Sequence, residues 1–145
     1  MKRPLAPFLL FTALALALWA CTARPEHPRA PVSGDAVTIA LSEVRGRGAP
    51  VFYSLAHEDR EIGFFVVETS RGFESYFDAC AKCYPKKMGY SAGGGTLKCR
   101  ACGLTYPVES LGRAGSCYPL PLKGRVEGES YVIDREDLIR GARYF

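Results

Sequence analysis

The stretch CAKC at residues 80–83, followed by CRAC at residues 99–102, decides how this chain is interpreted. Fifteen residues separate the two stretches, so the pattern is C-x2-C-x15-C-x2-C. This spacing is typical of a site in which four thiolates hold a metal. A C-x2-C turn lets both sulfurs point into one concavity, and two such turns supply four soft ligands in a tetrahedral arrangement. The sequence therefore predicts four metal ligands, Cys80, Cys83, Cys99 and Cys102.

Three kinds of thiol chemistry compete at these two stretches. Four thiolates suit an iron–sulfur cluster or zinc, and the spacing alone does not separate the two. Cysteines of exported proteins usually form disulfides, which are the rival to a metal site. Thiol–disulfide exchange is the third, but thioredoxin-type sites open a helix within a βαβ pattern that is not visible here. The spacing therefore leaves both an iron–sulfur cluster and zinc open. Covalent haem attachment is not indicated, because neither stretch continues as Cys-His.

Basic residues crowd the two stretches, namely Lys82, Lys86, Lys87, Lys98 and Arg100. Solvated surface charge is the simplest interpretation. In the functional interpretation, nearby cations lower the thiol pKa values and offset the negative charge of a four-thiolate site. They would also steer an acidic redox partner towards the site.

The N-terminus has the organisation of an export signal. Lys2 and Arg3 form a basic start, and residues 5–20 are almost wholly apolar. This run is shorter than the ~20 residues that span a bilayer, and it fits the apolar region of a signal peptide instead. The run ends in LWAC at residues 18–21, which resembles the lipobox of bacterial lipoproteins, in which the cysteine is lipidated and becomes the mature N-terminus.

Trp19 departs from the lipobox pattern, which usually has a small residue at that position. The alternative to a lipoprotein signal over residues 1–20 is therefore an uncleaved N-terminal anchor. Both interpretations export the domain and attach it to a membrane. We expect a lipid anchor at Cys21 and a location in the cell envelope, facing the periplasm or the exterior.

Residues 21–34 are interpreted as a tether, with the metal-binding domain covering residues 35–145. The tether contains three prolines, ends in Ser33-Gly34 and shows no apolar periodicity. At full stretch it reaches at most ~45–50 Å. His27 lies in the tether and is predicted to be solvated.

The cysteine count leaves one thiol over. Of six cysteines, Cys21 is the predicted lipid anchor and four belong to the two stretches, so Cys117 remains. Three roles are open for such an odd cysteine in an exported protein: a buried thiol, a fifth residue close to the metal, or half of an intermolecular bond. Its GSCYP context at residues 115–119 favours a specific place near the metal, as an additional site residue.

The net charge does not favour nucleic acid as a partner. The formal net charge is +4, and Lys2 and Arg3 account for two of these charges. The small remaining excess of basic residues is too weak to indicate a nucleic-acid surface, and export makes such a partner unexpected.

The rest of the chain predicts a small, mainly β domain. The strongest strand covers residues 61–69, where β-branched and aromatic residues concentrate. Asp134 is predicted to cap a short C-terminal helix. Turn signals recur about every 8–12 residues, as in a β-sandwich or barrel. The other predicted strands cover residues 37–41, 51–55, 73–77, 96–98, 104–108, 120–126 and 131–133.

From about Ile62 to Phe145 the chain resembles the FtrD-like family of membrane iron–sulfur-containing proteins. The residues that carry the resemblance are DAC at 78–80 with Cys83, Gly89-Tyr90, LKC at 97–99 with Cys102-Gly103, GSCYPLPL at 115–122, and the closing Leu138 and Phe145. The resemblance implies an iron–sulfur protein associated with ferrous iron uptake across bacterial membranes. Many members carry a membrane-embedded N-terminal half, in whose place this chain has a signal and a tether.

A second resemblance is to Rieske domains. Cys99-x2-Cys102-Gly103-x2-Tyr106 is similar to their second cluster-binding loop, with cysteine in place of histidine. Residues 115–122 are similar to their proline-bearing covering loop, which would place Cys117 in a lid over the site. An all-thiolate cluster would have a lower potential than a Rieske centre. The expected fold is a small Rieske-like β-sandwich or barrel with two Cys-x2-Cys loops and a short C-terminal helix.

The sequence thus predicts an exported, membrane-anchored iron–sulfur domain for electron transfer. Its expected redox partner is an iron-uptake or cytochrome component. The alternative is a structural zinc ribbon with four cysteine ligands in a non-catalytic binding module. An electron carrier or binding protein is expected rather than an enzyme, because no Ser-His-Asp set and no paired histidine ligands are recognisable.

Overall fold

The computed structural model describes residues 24–113, 115 and 117–145. The predicted signal, residues 1–20, and the predicted lipid anchor, Cys21, lie outside the described residues. Within the described part of the chain, no helix is long and apolar enough to cross a membrane.

The strands form three antiparallel sheets. In chain order the elements are β1 Val32–Ser33, β2 Ala36–Ala40, β3 Val51–His57, β4 Arg60–Thr69, β5 Gly72–Cys80, β6 Tyr90–Gly93, β7 Thr96–Cys99, β8 Thr105–Pro107, β9 Pro119–Leu122, β10 Arg125–Glu127, β11 Ser130–Asp134 and the α-helix α1 Arg135–Arg140. The central sheet has the strand order β3-β4-β5-β9 and the outer sheet the order β1-β2-β11-β10. The third sheet, here called the cysteine sheet, has the order β6-β7-β8.

β4 is covered on both faces, which explains its nearly continuous apolar run. Successive side chains of a strand point to opposite faces of the sheet. Ile62, Phe64 and Val66 therefore enter the core shared with the outer sheet. Phe65 and Val67 enter a second core, shared with the cysteine sheet. The central sheet is thus the middle layer of the fold.

The first core fixes the outer sheet and the C-terminus. Val37 and Ile39 of β2 and Ile133 of β11 are fully buried in it. Leu138 of α1 and Phe145 pack into the same core. Burying one such side chain stabilises the fold by about 1.5–3 kcal/mol, so this core is the main force holding the two sheets together.

The predicted mainly β fold with a short C-terminal helix is confirmed. β6 was not predicted, because its sequence has no alternating apolar pattern. The strand predicted at residues 120–126 is divided into β9 and β10. The division lies at Gly124, where a Cβ atom would come within 2.6 Å of the Tyr131 ring. Asp134 precedes α1, but its carboxylate accepts a hydrogen bond from Arg125 at 2.8 Å and does not cap the helix.

Residues 24–31, here called the strap, lie along the free edge of β3. The Ser54 N–H donates to the Pro28 carbonyl and the Ala30 N–H donates to the Ser54 carbonyl, both at 2.9 Å. The His27 ring stacks on Phe52 with 4.8 Å between ring centroids, and its side chain is only 11% exposed. The prediction that His27 is solvated is therefore wrong. An edge strand offers unpaired backbone groups, and the strap pairs with them.

Candidate metal centre

The fold brings five cysteines to one end of the molecule. Cys80 is the last residue of β5, and Cys83 lies in the turn that follows. Cys99 is the last residue of β7, and Cys102 lies in the turn towards β8. Cys117 lies in the loop that leads into β9. All five are free thiols among the residues that the structure describes.

Both C-x2-C stretches form tight turns in which backbone N–H groups face the first sulfur, Cys80 or Cys99. The Cys83 N–H donates to the Cys80 Sγ at 3.2 Å. In the second turn the Gly103 N–H donates to the Cys99 carbonyl at 2.8 Å. Gly103 has a φ of +77°, a left-handed conformation that costs glycine little. The sequence places glycine at the position where this turn requires it.

The five sulfurs form two overlapping groups of three. The Sγ atoms of Cys80, Cys83 and Cys99 lie within 4.8 Å of one another, and so do those of Cys83, Cys102 and Cys117. Cys83 belongs to both groups, and its Sγ lies 4.0 Å from that of Cys117. Each group has the ligand type and spacing to hold a metal ion.

The two groups differ in their access to solvent. Cys80 and Cys99, which we call the inner thiols, are 3% and 0% exposed. Cys83 is half-buried and Cys102 is exposed, and we call these the outer thiols. Cys117 is buried beside the outer thiols. The centre therefore has a closed inner side and one side that solvent reaches, at Cys102.

Cys117 is held in place by its loop and not by the two C-x2-C turns. The Tyr90 hydroxyl donates to the Cys117 carbonyl at 2.6 Å. The Ala81 N–H donates to the Tyr118 carbonyl at 3.0 Å, which ties the loop to the first turn. The ring of Tyr118 packs on Tyr106 with 4.4 Å between centroids. These contacts place a fifth thiol at the centre.

Hydrogen bonds lower the pKa of one inner and one outer thiol. The Leu104 backbone N–H is the main cause that lowers the pKa of Cys102 to about 7. Burial raises the pKa of Cys80, but donors that face it outweigh burial and lower its pKa below the ordinary value. These donors are the N–H groups of the turn towards Cys83, and the nearby Tyr90 hydroxyl, which donates to the Cys117 carbonyl, adds to their effect.

The other thiols are held neutral in the absence of a metal. Burial raises the pKa of Cys99 to about 11, and burial also raises the pKa of Cys117. Burial, together with the hydrogen bond and charge of the neighbouring Cys80 thiol, raises the pKa of Cys83. A metal would therefore have to displace protons from these thiols, which makes its binding pH-dependent.

Cys102 is expected to be the first thiol alkylated in the metal-free protein. The thiolate is the reactive form, and a pKa of about 7 places half of Cys102 in that form near pH 7. An ordinary thiol reaches this point only near a pH of about 8.5. Iodoacetamide labelling mapped by peptide mass spectrometry from pH 6 to pH 9 measures this order. Equally fast labelling of Cys99 would contradict it.

A buried carboxylate supports the first cysteine turn. Asp78 is 0% exposed and lies two residues before Cys80. Its Oδ1 accepts the Tyr90 N–H at 2.6 Å, and its Oδ2 lies 3.2 Å from the His27 Nε2. Gly89 has a φ of +64° and lies so close that an added Cβ atom would come 2.7 Å from Oδ1. Asp78 thus joins the central sheet, the cysteine sheet and the strap at one point.

Sequence reasoning gave Asp78 no role beyond the family resemblance. One feature of the sequence could have identified Asp78 as part of the site: it is an acidic residue at the end of an apolar strand, just before the first cysteine stretch. A buried carboxylate is retained only where it is paired and hydrogen-bonded, and its partners here are distant in sequence. His27 and Tyr90 lie 51 and 12 residues away from it.

The comparison with known proteins agrees with the donor set. The family described as "Membrane iron-sulfur containing protein FtrD-like" matches residues 46–145, a range that contains all five cysteines of the centre. The chain belongs to this FtrD-like family. The resemblance seen in the sequence is confirmed. No curated protein and no solved structure matches the chain. The similarity to Rieske domains stays a prediction.

The residues of this FtrD-like protein fit a metal–sulfur group. Iron–sulfur clusters are held by cysteine thiolates, and five free thiols meet here with backbone N–H groups facing them. The N–H groups supply the hydrogen bonds that sulfur ligands accept. The family description and the thiol cluster together indicate a membrane-associated metal-binding protein of the iron–sulfur type.

Proposed function

We propose that this protein is an exported, lipid-anchored iron–sulfur protein that transfers single electrons to or from iron or a haem protein. The main observation behind this proposal is that five free thiols lie together at one end of a β domain, in two groups that share Cys83. The cluster, when bound, supplies a one-electron redox couple. Its proposed ligands are Cys80, Cys83, Cys99 and Cys102, with Cys117 as an additional residue of the site.

The spacing of the sulfurs supports a cluster over a single ion. Four sulfurs around one zinc ion would all lie about 3.8 Å from one another, given a Zn–S distance of about 2.3 Å. Among the described residues the sulfurs form two groups of three, and no group of four lies within 4.8 Å. Ligand sulfurs spread over this distance suit a cofactor that contains more than one metal ion.

The difference in exposure supports electron transfer at one side. The inner thiols are closed off in the second core, and Cys102 reaches the surface. Electrons would leave and enter at the Cys102 side, which a partner that lies in the membrane can approach. The proposed partner is an iron-uptake or cytochrome component, with no nucleic acid involved.

A structural zinc site is the second candidate. Cys83, Cys102 and Cys117 form a compact group at the outer side, which one zinc ion fits with a fourth ligand. In that case the metal would hold the loops only, and the binding function would lie on another surface. Colourless protein with one zinc ion per chain supports this candidate.

Reversible reduction of the full-length protein tests the electron-transfer proposal. We expect anaerobically purified protein to be brown, to lose its visible absorbance with dithionite and to regain it on re-oxidation. Electron paramagnetic resonance of one of the two states should show a half-integer spin signal. A colour that dithionite destroys without recovery would contradict electron transfer.

Tyr90→Phe is expected to lower the reduction potential. The Tyr90 hydroxyl donates to the Cys117 carbonyl and lies close enough to Cys80 to lower the pKa of that thiol, and polar groups beside ligand sulfurs favour the reduced, more negative state. A net hydrogen bond of about 0.5–1.5 kcal/mol corresponds to roughly 20–65 mV for one electron. The control is Tyr53→Phe, which removes a hydroxyl that donates to Glu43 in the other core region. Equal reduction potentials of the two variants in a redox titration would contradict the prediction.

A further inference from the structure

We propose that the end of the molecule that carries the cysteines faces the bilayer and lies against anionic phospholipid headgroups. This end, here called the tip, consists of residues 80–89 and 99–105. The inference rests on the proposed lipid anchor at Cys21 and adds an orientation to it. Three observations carry it: the course of the strap, the charge of the tip and its exposed apolar side chains.

The strap runs along the edge of β3 towards the tip. Its pairing with Ser54 fixes residues 28–30 on the central sheet. His27, one residue earlier, reaches the buried Asp78 beside the first cysteine turn. The chain, followed backwards from the domain, therefore ends its described course at the tip and not at the opposite end.

Arg24, the first described residue, is fixed at the tip. Its Nε donates to the Lys87 carbonyl at 3.1 Å, and its guanidinium lies 4.4 Å from the centroid of the Phe145 ring. Only two residues lie between Cys21 and Arg24, so three Cα–Cα steps give a reach of at most about 11 Å. A domain of this size is about 35 Å across. A lipid on Cys21 would therefore hold the tip next to the membrane.

The charged residues of the tip are all basic. Residues 80–89 and 99–105 include four basic and no acidic residues. Lys82, Lys86 and Lys87 are all exposed. Basic residues near a membrane surface attract anionic headgroups, with a gain of about fivefold in binding for each lysine. The charge of the tip thus matches the surface to which the anchor would bring it.

The tip also exposes apolar side chains. Leu104 is 49% exposed, two residues after Cys102, and Tyr84 is 37% exposed, directly after Cys83. Cys83 and Cys102 lie together, so the two side chains flank the outer thiols from different loops. Leucine and tyrosine bordered by lysine are the side chains that favour a membrane interface.

Tryptophan fluorescence in vesicles tests the orientation. The full-length, acylated protein with its metal centre is prepared as Leu104→Trp or Val126→Trp. The two sites are 49% and 50% exposed, and Val126 lies in β10 at the edge of the outer sheet. A Trp19→Ala background removes the only native tryptophan and gives the lipobox a small residue. The vesicles contain phosphatidylcholine and phosphatidylglycerol, with or without brominated acyl chains.

We expect brominated lipid to quench the reporter at position 104 and to leave the reporter at position 126 unchanged. Quenching at both positions alike, or at position 126 alone, would overturn the orientation. Quenching at position 104 that requires added membrane protein would assign the tip to a protein partner and would also overturn the proposal. The double variant Lys86→Gln/Lys87→Gln should weaken the response to phosphatidylglycerol by about fivefold per lysine.

Arg24→Ala tests the strap directly. Loss of the Arg24 contacts should release the end of the strap and reduce quenching at position 104. The control is Arg29→Ala on the same strap, whose ion pair with Glu61 is exposed, at 3.5 Å. Such a pair contributes little, so its loss should leave the quenching unchanged. Equal quenching in the Arg24→Ala variant and its parent would contradict the role of the strap.

Two further measurements on the same samples separate this inference from the proposed function. Mass spectrometry shows whether Cys21 is acylated, and a chain without acyl groups would overturn the orientation while the iron–sulfur assignment stands. Iron and sulfide analysis shows whether the cluster is present. Samples without a cluster that still show quenching only at position 104 would support the orientation and remove the electron-transfer proposal.

Discussion

Cys99→Ser is expected to abolish stable binding of the metal centre. Cys99 is 0% exposed and packs in the second core, so no solvent molecule can take the place of its sulfur. A serine hydroxyl is a poorer, harder ligand for iron or zinc than a thiolate. Binding of a structural metal can contribute about 10–16 kcal/mol, as measured for zinc-finger peptides, so the loss of one inner ligand should be decisive.

Metal analysis and thermal unfolding of Cys99→Ser measure this effect. We expect little iron or sulfide and a lower melting temperature than in the unsubstituted protein. The control is Cys117→Ser, which removes a buried thiol outside the two C-x2-C stretches and should keep most of the metal. Full iron and sulfide content in Cys99→Ser would contradict its assignment as a ligand.

Gly89→Ala is expected to destabilise the fold by about 2–5 kcal/mol. The left-handed φ of +64° costs an alanine about 1–2 kcal/mol. The added Cβ would also contact the Asp78 carboxylate, at 2.7 Å from Oδ1. Moving that carboxylate weakens its bond with the Tyr90 N–H and leaves buried polar groups unpaired, at about 1–3 kcal/mol.

Gly94→Ala is the matched control for Gly89→Ala. Gly94 has a φ of +56°, and a Cβ atom there would meet nothing within 4 Å. Its substitution therefore carries the backbone cost of about 1–2 kcal/mol without the contact. Urea unfolding of both variants gives the difference between them. Equal losses of stability would show that the Asp78 carboxylate tolerates displacement.

The network around Asp78 links stability to the metal centre. Asp78 fixes Tyr90, and the Tyr90 hydroxyl in turn holds the Cys117 carbonyl and lies beside Cys80. One buried carboxylate thus helps to position Tyr90 and, through Tyr90, the loop of Cys117. Partners in this outer shell orient metal ligands and tune their affinity. Disturbing the network should therefore change the potential of the centre as well as the stability of the domain.

The mainly β fold followed from local patterns in the sequence. The β-branched and aromatic run of β4 predicted a strand, and its alternating burial in two cores explains why both faces are apolar. Gly94 and Gly95 have positive φ in the turn between β6 and β7, a conformation that glycine adopts at little cost. β6 escaped prediction, because a strand of Tyr, Ser, Ala and Gly owes its conformation to pairing with β7.

The candidate site could be predicted as a set of thiols but not as a complete site. Spacing identifies C-x2-C turns because the ligands are near in sequence. The contacts of Cys117, His27 and Asp78 depend on the packing of distant segments. The strap shows this most clearly: its prolines and polar residues indicate an extended chain, and the free edge of β3 determines where that chain lies.

The central claim is that the five-thiol centre holds an iron–sulfur cluster. Iron, acid-labile sulfide and zinc analysis of anaerobically purified full-length protein tests it most directly. We predict iron and sulfide in equal amounts, with little zinc. One zinc ion per chain without sulfide would contradict the claim, and the centre would then be a structural zinc site.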